Sequence, residues 1–402
     1  VEVELRAELE PNARKYVMIP AWARERRVAM AERTAELVAL AEETDLNREE
    51  LGDTSLGIIA SGVAYQYARE AFPEASFLKL GVTWPLPPER IRRFAAQVER
   101  LFVVEELDPF LTEQILAMGI AVEPVDERFR LGELTPGRVR EMITGEPAPR
   151  VAVDADLPPR PPTLCAGCPH RSVFSALRAI KAYVTGDIGC YTLGTLAPLQ
   201  ALHTCLCMGA GVNEAHGIQK VLGHEAPVVA VIGDSTFTHS GITGLVNIAY
   251  NAGVSTVVIL DNRTTAMTGG QVHPGVGETL SGMPGRALDF EALARAIGID
   301  DVRVVDPYDM AATEAALRAA MASREPSVVI ARRECALMVC DYGPAPVLDE
   351  ELCIRCGKCI RIGCPALSAF DDGGQRPIPR IDEVMCTGCT MCAQVCPVNA
   401  LK

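Results

Sequence analysis

At 402 residues and 49% apolar content the chain can supply a core to each of two to four domains. Its 38 Lys plus Arg against 52 Asp plus Glu leave a net charge of −14 with no basic run, which argues against a nucleic-acid or membrane-surface partner. No stretch approaches eighteen uninterrupted apolar residues, and the opening "VEVELRAELE" lacks the basic and apolar regions of an export signal, so the expected setting is cytoplasmic. The first residue is Val1, which suits a piece of a longer polypeptide.

Taken in chain order, "WARERRVAMAERTAELVALAEE" predicts a helix, and "LGIIASG" a buried strand that runs into the helix "VAYQYAREAF". "FLKLG" and "LFVVEEL" then read as strands, and "PPERIRRFAAQVERL" and "PFLTEQILAMG" as helices, an alternation that predicts a small parallel α/β domain. Residues 131–163, rich in proline and aperiodic, read as a linker. Three more apolar, β-rich runs, "PVVAVIGDS", "TVVILDN" and "PSVVIARRE", predict a second α/β domain. Cysteine, glycine and proline crowd the end of the chain. The expected architecture is therefore α/β, with two doubly wound parallel-sheet domains at 1–150 and 151–343 and a small metal-built domain at 344–402.

Fifteen cysteines are present, none before Cys165 and eight between Cys353 and Cys396, a distribution that suits metal in a reducing compartment better than disulfides. Cys353, Cys356, Cys359 and Cys364-Pro365 give C-x2-C-x2-C-x4-C-P, while Cys386, Cys389, Cys392 and Cys396-Pro397 give C-x2-C-x2-C-x3-C-P. The second spacing is the bacterial ferredoxin run, whose fourth cysteine ligates the other cluster. Two runs predict two [4Fe-4S] clusters, one on Cys353, Cys356, Cys359 and Cys396, the other on Cys386, Cys389, Cys392 and Cys364. The extra residue before Cys364 should bulge that loop. Zinc is the competing ligand for C-x2-C pairs.

"VIGDSTFTHSG" places Gly233, Asp234 and Ser235 just after a strand, and Asn262 follows a second strand 28 positions beyond Asp234. Two oxygen ligands at the carboxyl ends of two strands suit an octahedral Mg2+ on a diphosphate, with the glycine admitting the phosphates. Gly-Asp turns are also common as plain structure.

These residues resemble the thiamine diphosphate enzymes, whose pattern is G-D-G, some thirty residues, then N-N; here it stands as Gly-Asp-Ser and Asp261-Asn262. The resemblance implies Asp234, Asn262 and the Thr264 carbonyl as Mg2+ ligands. "MTGGQ" after Asn262 is similar to the 2-oxoacid:ferredoxin oxidoreductases. With "CAGCPHR", "GDIGCYTLG", "TCLCMGAG" and the double-cluster tail, the order of segments resembles the larger subunits of the indolepyruvate-type family, from about residue 55 to the end. On that likeness the first domain is transketolase C-terminal-like, the second binds thiamine diphosphate, and the third is ferredoxin-like. Gly269 and Gly270 are placed to offer N–H groups to phosphate. Gln271, His273, Cys207, Met208 and Gly209 are implied in the cofactor pocket, and His170 is a further candidate there.

The likeness also implies a third [4Fe-4S] cluster beside the thiamine, on Cys165, Cys168, Cys190 and Cys335. Read from the residues alone, these remain open to being core thiols, a redox pair or half a zinc site. Cys205, Cys207 and Cys340 read as core or site-lining thiols, and His203, His216, His224 and His239 as structural or surface groups. Phe237, Tyr191 and Met208 are either packing or substrate contacts. The implied reaction is oxidative decarboxylation of an aryl 2-oxoacid with CoA, giving acyl-CoA, CO2 and reduced ferredoxin through a thiamine enamine that the clusters oxidise in one-electron steps. Implied partners are a smaller subunit, ferredoxin and paired larger subunits, in an anaerobic setting. The glutamate that activates thiamine is expected outside this chain. Alternatives are a pyruvate or branched-chain 2-oxoacid:ferredoxin oxidoreductase, a non-oxidative thiamine decarboxylase, or a ferredoxin-type electron-transfer subunit with a degenerate thiamine domain.

Overall fold

The computed structural model describes residues 11–147, 157, 160–223, 225–371, 373–374 and 376–402. Two compact units divide the chain, Val1–Leu157 and Pro158–Lys402. Among the described residues no helix is long and apolar enough to cross a membrane.

The first unit opens with α1 (Ala13–Tyr16) and α2 (Pro20–Glu43). It continues through β1 (Arg48–Glu50), β2 (Asp53–Ser61), α3 (Gly62–Ala71), β3 (Ala75–Leu80), α4 (Pro88–Ala95), β4 (Leu101–Val104) and α5 (Phe110–Ala117) to α6 (Pro136–Thr144). The strand order is β1-β3-β2-β4, with β2, β3 and β4 parallel and β1 antiparallel at the edge. Because side chains alternate along a strand, Ile58, Ala60 and Phe77 pack on one face with residues of α3 and α6. Ile59, Leu78 and Leu80 pack on the other face with residues of α4 and α5. The helix expected over 87–101 ends at Ala95, a few residues before β4 begins.

α6 corrects the linker reading of 131–163. Thr135 caps it by accepting from the Arg138 N–H at 3.2 Å, Pro136 opens it, Gly145 closes it at φ 77°, and Val139 and Ile143 are buried. The threonine, proline and glycine that look like linker composition are helix punctuation. Much of the remaining stretch lies outside the described residues.

The second unit contains α7 (His170–Ile180), β5 (Tyr183–Thr185), α8 (Ala210–Leu222), β6 (Val228–Gly233), α9 (Asp234–Thr236), a π turn (Phe237–Gly241) and α10 (Ile242–Tyr250). Then come β7 (Thr256–Asp261), α11 (Phe290–Ile297), β8 (Asp301–Val305), α12 (Met310–Met321) and β9 (Ser327–Arg332). The order is β5-β6-β7-β9-β8 and every pairing is parallel. Residues of β6, β7 and β9 alternate between two buried cores. Val229, Val231, Val258 and Val329 join α7 and α12, whereas Ala230, Ile232, Val257, Ile259 and Ile330 join α8, α10 and α11. Such double burial explains why these strands read as unbroken apolar runs. β5 and β8 escaped the sequence reading because β5 is three residues long and β8 is only partly buried.

The tail packs within this same unit. It has one hairpin, β10 (Leu367–Phe370) against β11 (Ile378–Ile381), one short helix, α13 (Met391–Gln394), and a pairing of Val347 with Lys402. Among the described residues its own apolar cluster has Cys359, Leu367 and Leu401 as buried members, and Ile362, Ala366, Ile378, Met391 and Ala400 are buried as well.

Candidate active site and cysteine cages

β6 and β7 lie side by side in parallel, with Gly233 opposite Leu260, so Asp234 and Asn262 emerge together at the carboxyl edge of the sheet. Both are buried, as is Thr264. Asp234 Oδ1 accepts from the Ser235 N–H at 2.7 Å and Oδ2 from the Arg263 N–H at 2.8 Å. Arg263 can aim that N–H because its φ is 63°, the left-handed region that a non-glycine residue enters only under constraint. The constraint is visible: Asp261, buried, lies between Arg332 at 2.8 Å and Arg263 at 3.3 Å, while Arg263 Nη1 also donates to the Gly275 carbonyl at 3.0 Å.

His273 supports the aspartate from the other side. Its Nδ1 accepts from the Gly275 N–H at 3.1 Å, which leaves the neutral ring's proton on Nε2, 3.1 Å from Asp234 Oδ2. The pair is close but off the line of a good hydrogen bond, and Nε2 is otherwise without a partner. Thr264 Oγ1 is likewise buried and unpaired. One buried carboxylate and one amide at a strand edge, beside Thr264 whose carbonyl is the third expected ligand, are donors of the hard-oxygen kind that Mg2+ takes.

These groups open on a cavity of about 210 Å³ that His170, Cys190, Tyr191, Met208, Gly233, Ser235 and Met267 also line. A Cβ on Gly233 would meet the Tyr191 ring at 2.8 Å, so only glycine leaves that wall open. Tyr191 donates to the Ile188 carbonyl at 2.9 Å and stands edge-on to His170 at 6.2 Å. Burial drives the His170 imidazole down to about 4, against the pull of Asp234, so it enters the cavity as a neutral ring.

Other expected pocket residues do not line this cavity. Gly269 and Gly270, both left-handed, donate their N–H groups to the Ala266 and Thr265 carbonyls. Gln271 folds onto Thr268, and Thr265 pairs with it across the turn. The expectation that those two glycines face phosphate oxygens is corrected accordingly: their donors are already used to close the loop. Cys207 is exposed, and Gly209 gives its N–H to Asp187 at 2.8 and 2.9 Å. Phe237 belongs to the core, edge-on to Phe290 at 5.7 Å. His203 stacks on Tyr183 at 4.8 Å, His216 is buried, and His239 is exposed beside Ser240. His224 lies outside the described residues.

Asp187 is the residue that sequence reasoning missed. It is buried and collects the N–H groups of Ile188, Gly209 and Gly211, which fixes the start of α8 against the cavity wall. Burial raises its carboxyl, and those N–H groups draw it back. The available signal was Gly186-Asp187 after an apolar run, a second copy of the Gly233-Asp234 arrangement.

In the tail the chain builds two cages. Cys364, Cys386, Cys389 and Cys392 line one cavity, and Cys353, Cys356, Cys359 and Cys396 line another. Each cavity thus gathers thiols from both cysteine runs. Main-chain donors face the sulfurs, from Gly388 to Cys386 at 3.5 Å and from Ala400 to Cys396 at 3.2 Å. Burial pushes Cys392 up to about 12, with Cys389, Cys364 and Cys386 adding to it, as expected of thiols gathered close together out of water. A bound cationic cluster core relieves that cost, so the thiols fit such a group. The extra residue of the first run is absorbed by a tight turn, Ile360–Ile362, and by Gly363 at φ 74°.

Of the four earlier cysteines, Cys165 and Cys168 share one turn, the Cys168 N–H donating to the Cys165 carbonyl at 3.2 Å, and Cys190 lines the cavity. Cys190 and Cys335 are each raised first by burial and then by neighbours that include Cys165, and Cys168 is driven up to about 12 by burial with Cys165 and Cys335 adding to it. The Cys335 N–H donates to the Asn262 carbonyl at 3.0 Å, which ties this group to the end of β7.

Comparison with known proteins agrees with this geometry. Residues 187–331 match the thiamine pyrophosphate enzyme, C-terminal TPP binding domain, and residues 346–402 match the 4Fe-4S dicluster domain. The chain is 35% identical to the indolepyruvate oxidoreductase subunit IorA of Archaeoglobus fulgidus, over 99% of this chain and 67% of that protein. It is 37% identical to the subunit of the same name from Pyrococcus horikoshii, over 97% and 67%. It thus spans about two thirds of the length of these relatives. Among solved structures, a 2-oxoglutarate:ferredoxin oxidoreductase from Magnetococcus marinus overlaps 44% of this chain at 21% identity and a TM-score of 0.38.

Proposed function

The chain belongs to the family of indolepyruvate oxidoreductase IorA subunits, and on that premise we propose that it decarboxylates an aryl 2-oxoacid oxidatively and passes the electrons to ferredoxin, with CoA accepting the acyl group. At the coarser level it is a thiamine diphosphate-dependent 2-oxoacid:ferredoxin oxidoreductase carrying [4Fe-4S] clusters, and it acts as a subunit beside a partner. In the proposed arrangement Asp234, Asn262 and Thr264 hold Mg2+ and the diphosphate. Two clusters sit on the crossed cysteine sets of the tail, and a third on Cys165, Cys168, Cys190 and Cys335. The division into domains at 1–150, 151–343 and 344–402 belongs to the same proposal.

The observation that carries this reading is that Cys190 lines the same cavity as Asp234 and Asn262. A thiol of the third cysteine set therefore shares a wall with the diphosphate site. Thiamine diphosphate, when bound, supplies the electron sink for loss of CO2, and iron–sulfur clusters supply one-electron acceptors. This chain's residues do the rest. Asp234 is pre-aimed by the Ser235 and Arg263 N–H groups, so its carboxylate is held in place before metal arrives. His170 and Tyr191 give the cavity a neutral wall. A non-oxidative decarboxylase has no use for that adjacency, and a degenerate thiamine domain has no use for an oriented, buried Asp234.

The test is anaerobic reduction of a viologen dye by the protein with its partner subunit, supplied in turn with arylpyruvates and with pyruvate. Arylpyruvates are expected to give the higher kcat/KM. Preference for pyruvate removes the aryl assignment, and protein that binds no thiamine diphosphate removes the enzymatic reading altogether.

A further inference from the structure

Arg171 is 1% exposed, and its guanidinium spans two parts of the second unit. On the thiamine-domain side Nη2 donates to the Leu164 carbonyl, and Nε and Nη2 donate to the Cys165 carbonyl at 3.3 and 3.2 Å. On the tail side Nη1 donates to the carbonyls of Ile362, at 3.2 Å, and Gly363. All these acceptors are neutral, and among the described residues no carboxylate pairs with it. A buried cation without an anion is unfavourable, because it has lost its hydration with no charge to replace it. Its acceptors tie it to two cysteine sets through the main chain: Cys165 belongs to the third set, and Gly363 directly precedes Cys364 of one tail cage.

We propose that Arg171 is the shared counter-cation of two iron–sulfur clusters, those of the Cys364 and Cys165 sets, and that it both seats the tail and raises the reduction potential of the pair. The inference rests on reading these cysteines as cluster ligands. Each cluster gains one electron, and so one negative charge, on reduction; a fixed cation nearby favours the reduced state. The Cys353 set is not joined to Arg171 in this way, since none of the carbonyls that Arg171 takes belongs to a cysteine of that set or to its chain neighbour. The geometry also accounts for the irregular C-x4-C spacing. The tight turn and left-handed Gly363 that absorb the extra residue present the two tail carbonyls that Arg171 takes. The contact tolerates no side chain at Gly363, where a Cβ would lie 2.7 Å from Pro198 Cδ and 3.4 Å from Arg171 Nη1.

Arg171 is thus a positioning residue for electron transfer. The experiment compares Arg171→Gln and Arg171→Lys with the unaltered full chain, prepared anaerobically, by iron content and by redox titration followed by electron paramagnetic resonance. Signals are assigned with Cys389→Ser and Cys353→Ser. In Arg171→Gln, two clusters are expected to become about tenfold less reduced at a given potential, which is about 59 mV for a one-electron couple. The Cys353 cluster should not move, and Arg171→Lys should restore the two that do. Wild-type potentials for all three clusters at full iron, or an equal shift of all three, overturns the proposal. If Arg171→Gln sheds iron, Arg171→Lys decides: it keeps the charge and loses the planar fork, so lowered potentials there overturn a charge-based role and retained ones uphold it. About eight irons in the unaltered chain, where three clusters need about twelve, removes the underlying cluster reading and is distinguishable from failure of the Arg171 role.

Discussion

Asp234 accepts two backbone N–H groups and stands 3.1 Å from His273 Nε2, so its orientation is over-determined by its neighbours. Groups that orient a metal ligand typically contribute ten- to a hundredfold in affinity. His273→Ala is therefore expected to weaken Mg2+-dependent thiamine diphosphate binding by roughly ten- to a hundredfold while thermal stability changes little. Titrating Mg2+ against retained cofactor checks this, and an unchanged midpoint would show that His273 serves the loop and not the aspartate. Gly363 gives a second prediction at this scale. Gly363→Ala places a Cβ in a left-handed residue and against Pro198, so it is expected to destabilise the tail by about 1–3 kcal/mol. Loss of iron on mild warming, compared with the unaltered chain, is the readout.

β7 occupies the middle of the second sheet between β6 and β9, and its residues through Leu260 are buried on both faces. Ile259→Ala removes apolar volume from the α8–α10 side and should cost about 2–5 kcal/mol in denaturant unfolding. Tyr250→Ala, at the exposed end of α10 where the ring is 87% exposed, should stay within about 0.5 kcal/mol. Equal costs would mean that the central strand is not the organising element of this unit. In the tail, the element that matters is the crossing. Cys364→Ser should abolish the same spectroscopic signal as Cys389→Ser and leave that of Cys353→Ser intact, although Cys364 follows Cys359 closely in the chain. A loss matching Cys353→Ser would mean that each run serves its own cluster.

For the whole molecule, stability is unevenly shared. The β5–β9 sheet has two large apolar cores, whereas the tail's own apolar cluster, among the described residues, has Cys359, Leu367 and Leu401 as its buried members. A segment of 346–402 with a small core is expected to depend on its ligated metal for folding. Iron chelation under reducing conditions should therefore make the tail protease-sensitive while the β5–β9 sheet persists. Limited proteolysis with mass spectrometry reads this directly; a tail that stays resistant without iron would show that Arg171 and the Tyr308–Gln394 contacts suffice to hold it.

What the sequence determined by itself was whatever is encoded by local spacing. Cysteine intervals marked the tail as a 4Fe-4S dicluster domain, and unbroken apolar runs specified β6, β7 and β9 because burial on both faces leaves no polar alternation to confuse the pattern. Asp234 and Asn262 were legible since each directly follows such a run. What tertiary structure alone decided was every contact between residues far apart in the chain. Arg171 meets Ile362 and Gly363 across nearly two hundred positions, and Asp187 reaches Gly209 from a different element. The Gly269-Gly270 turn shows the converse. Its composition promised free N–H groups, but a loop must satisfy its own backbone first, and the fold used those donors internally.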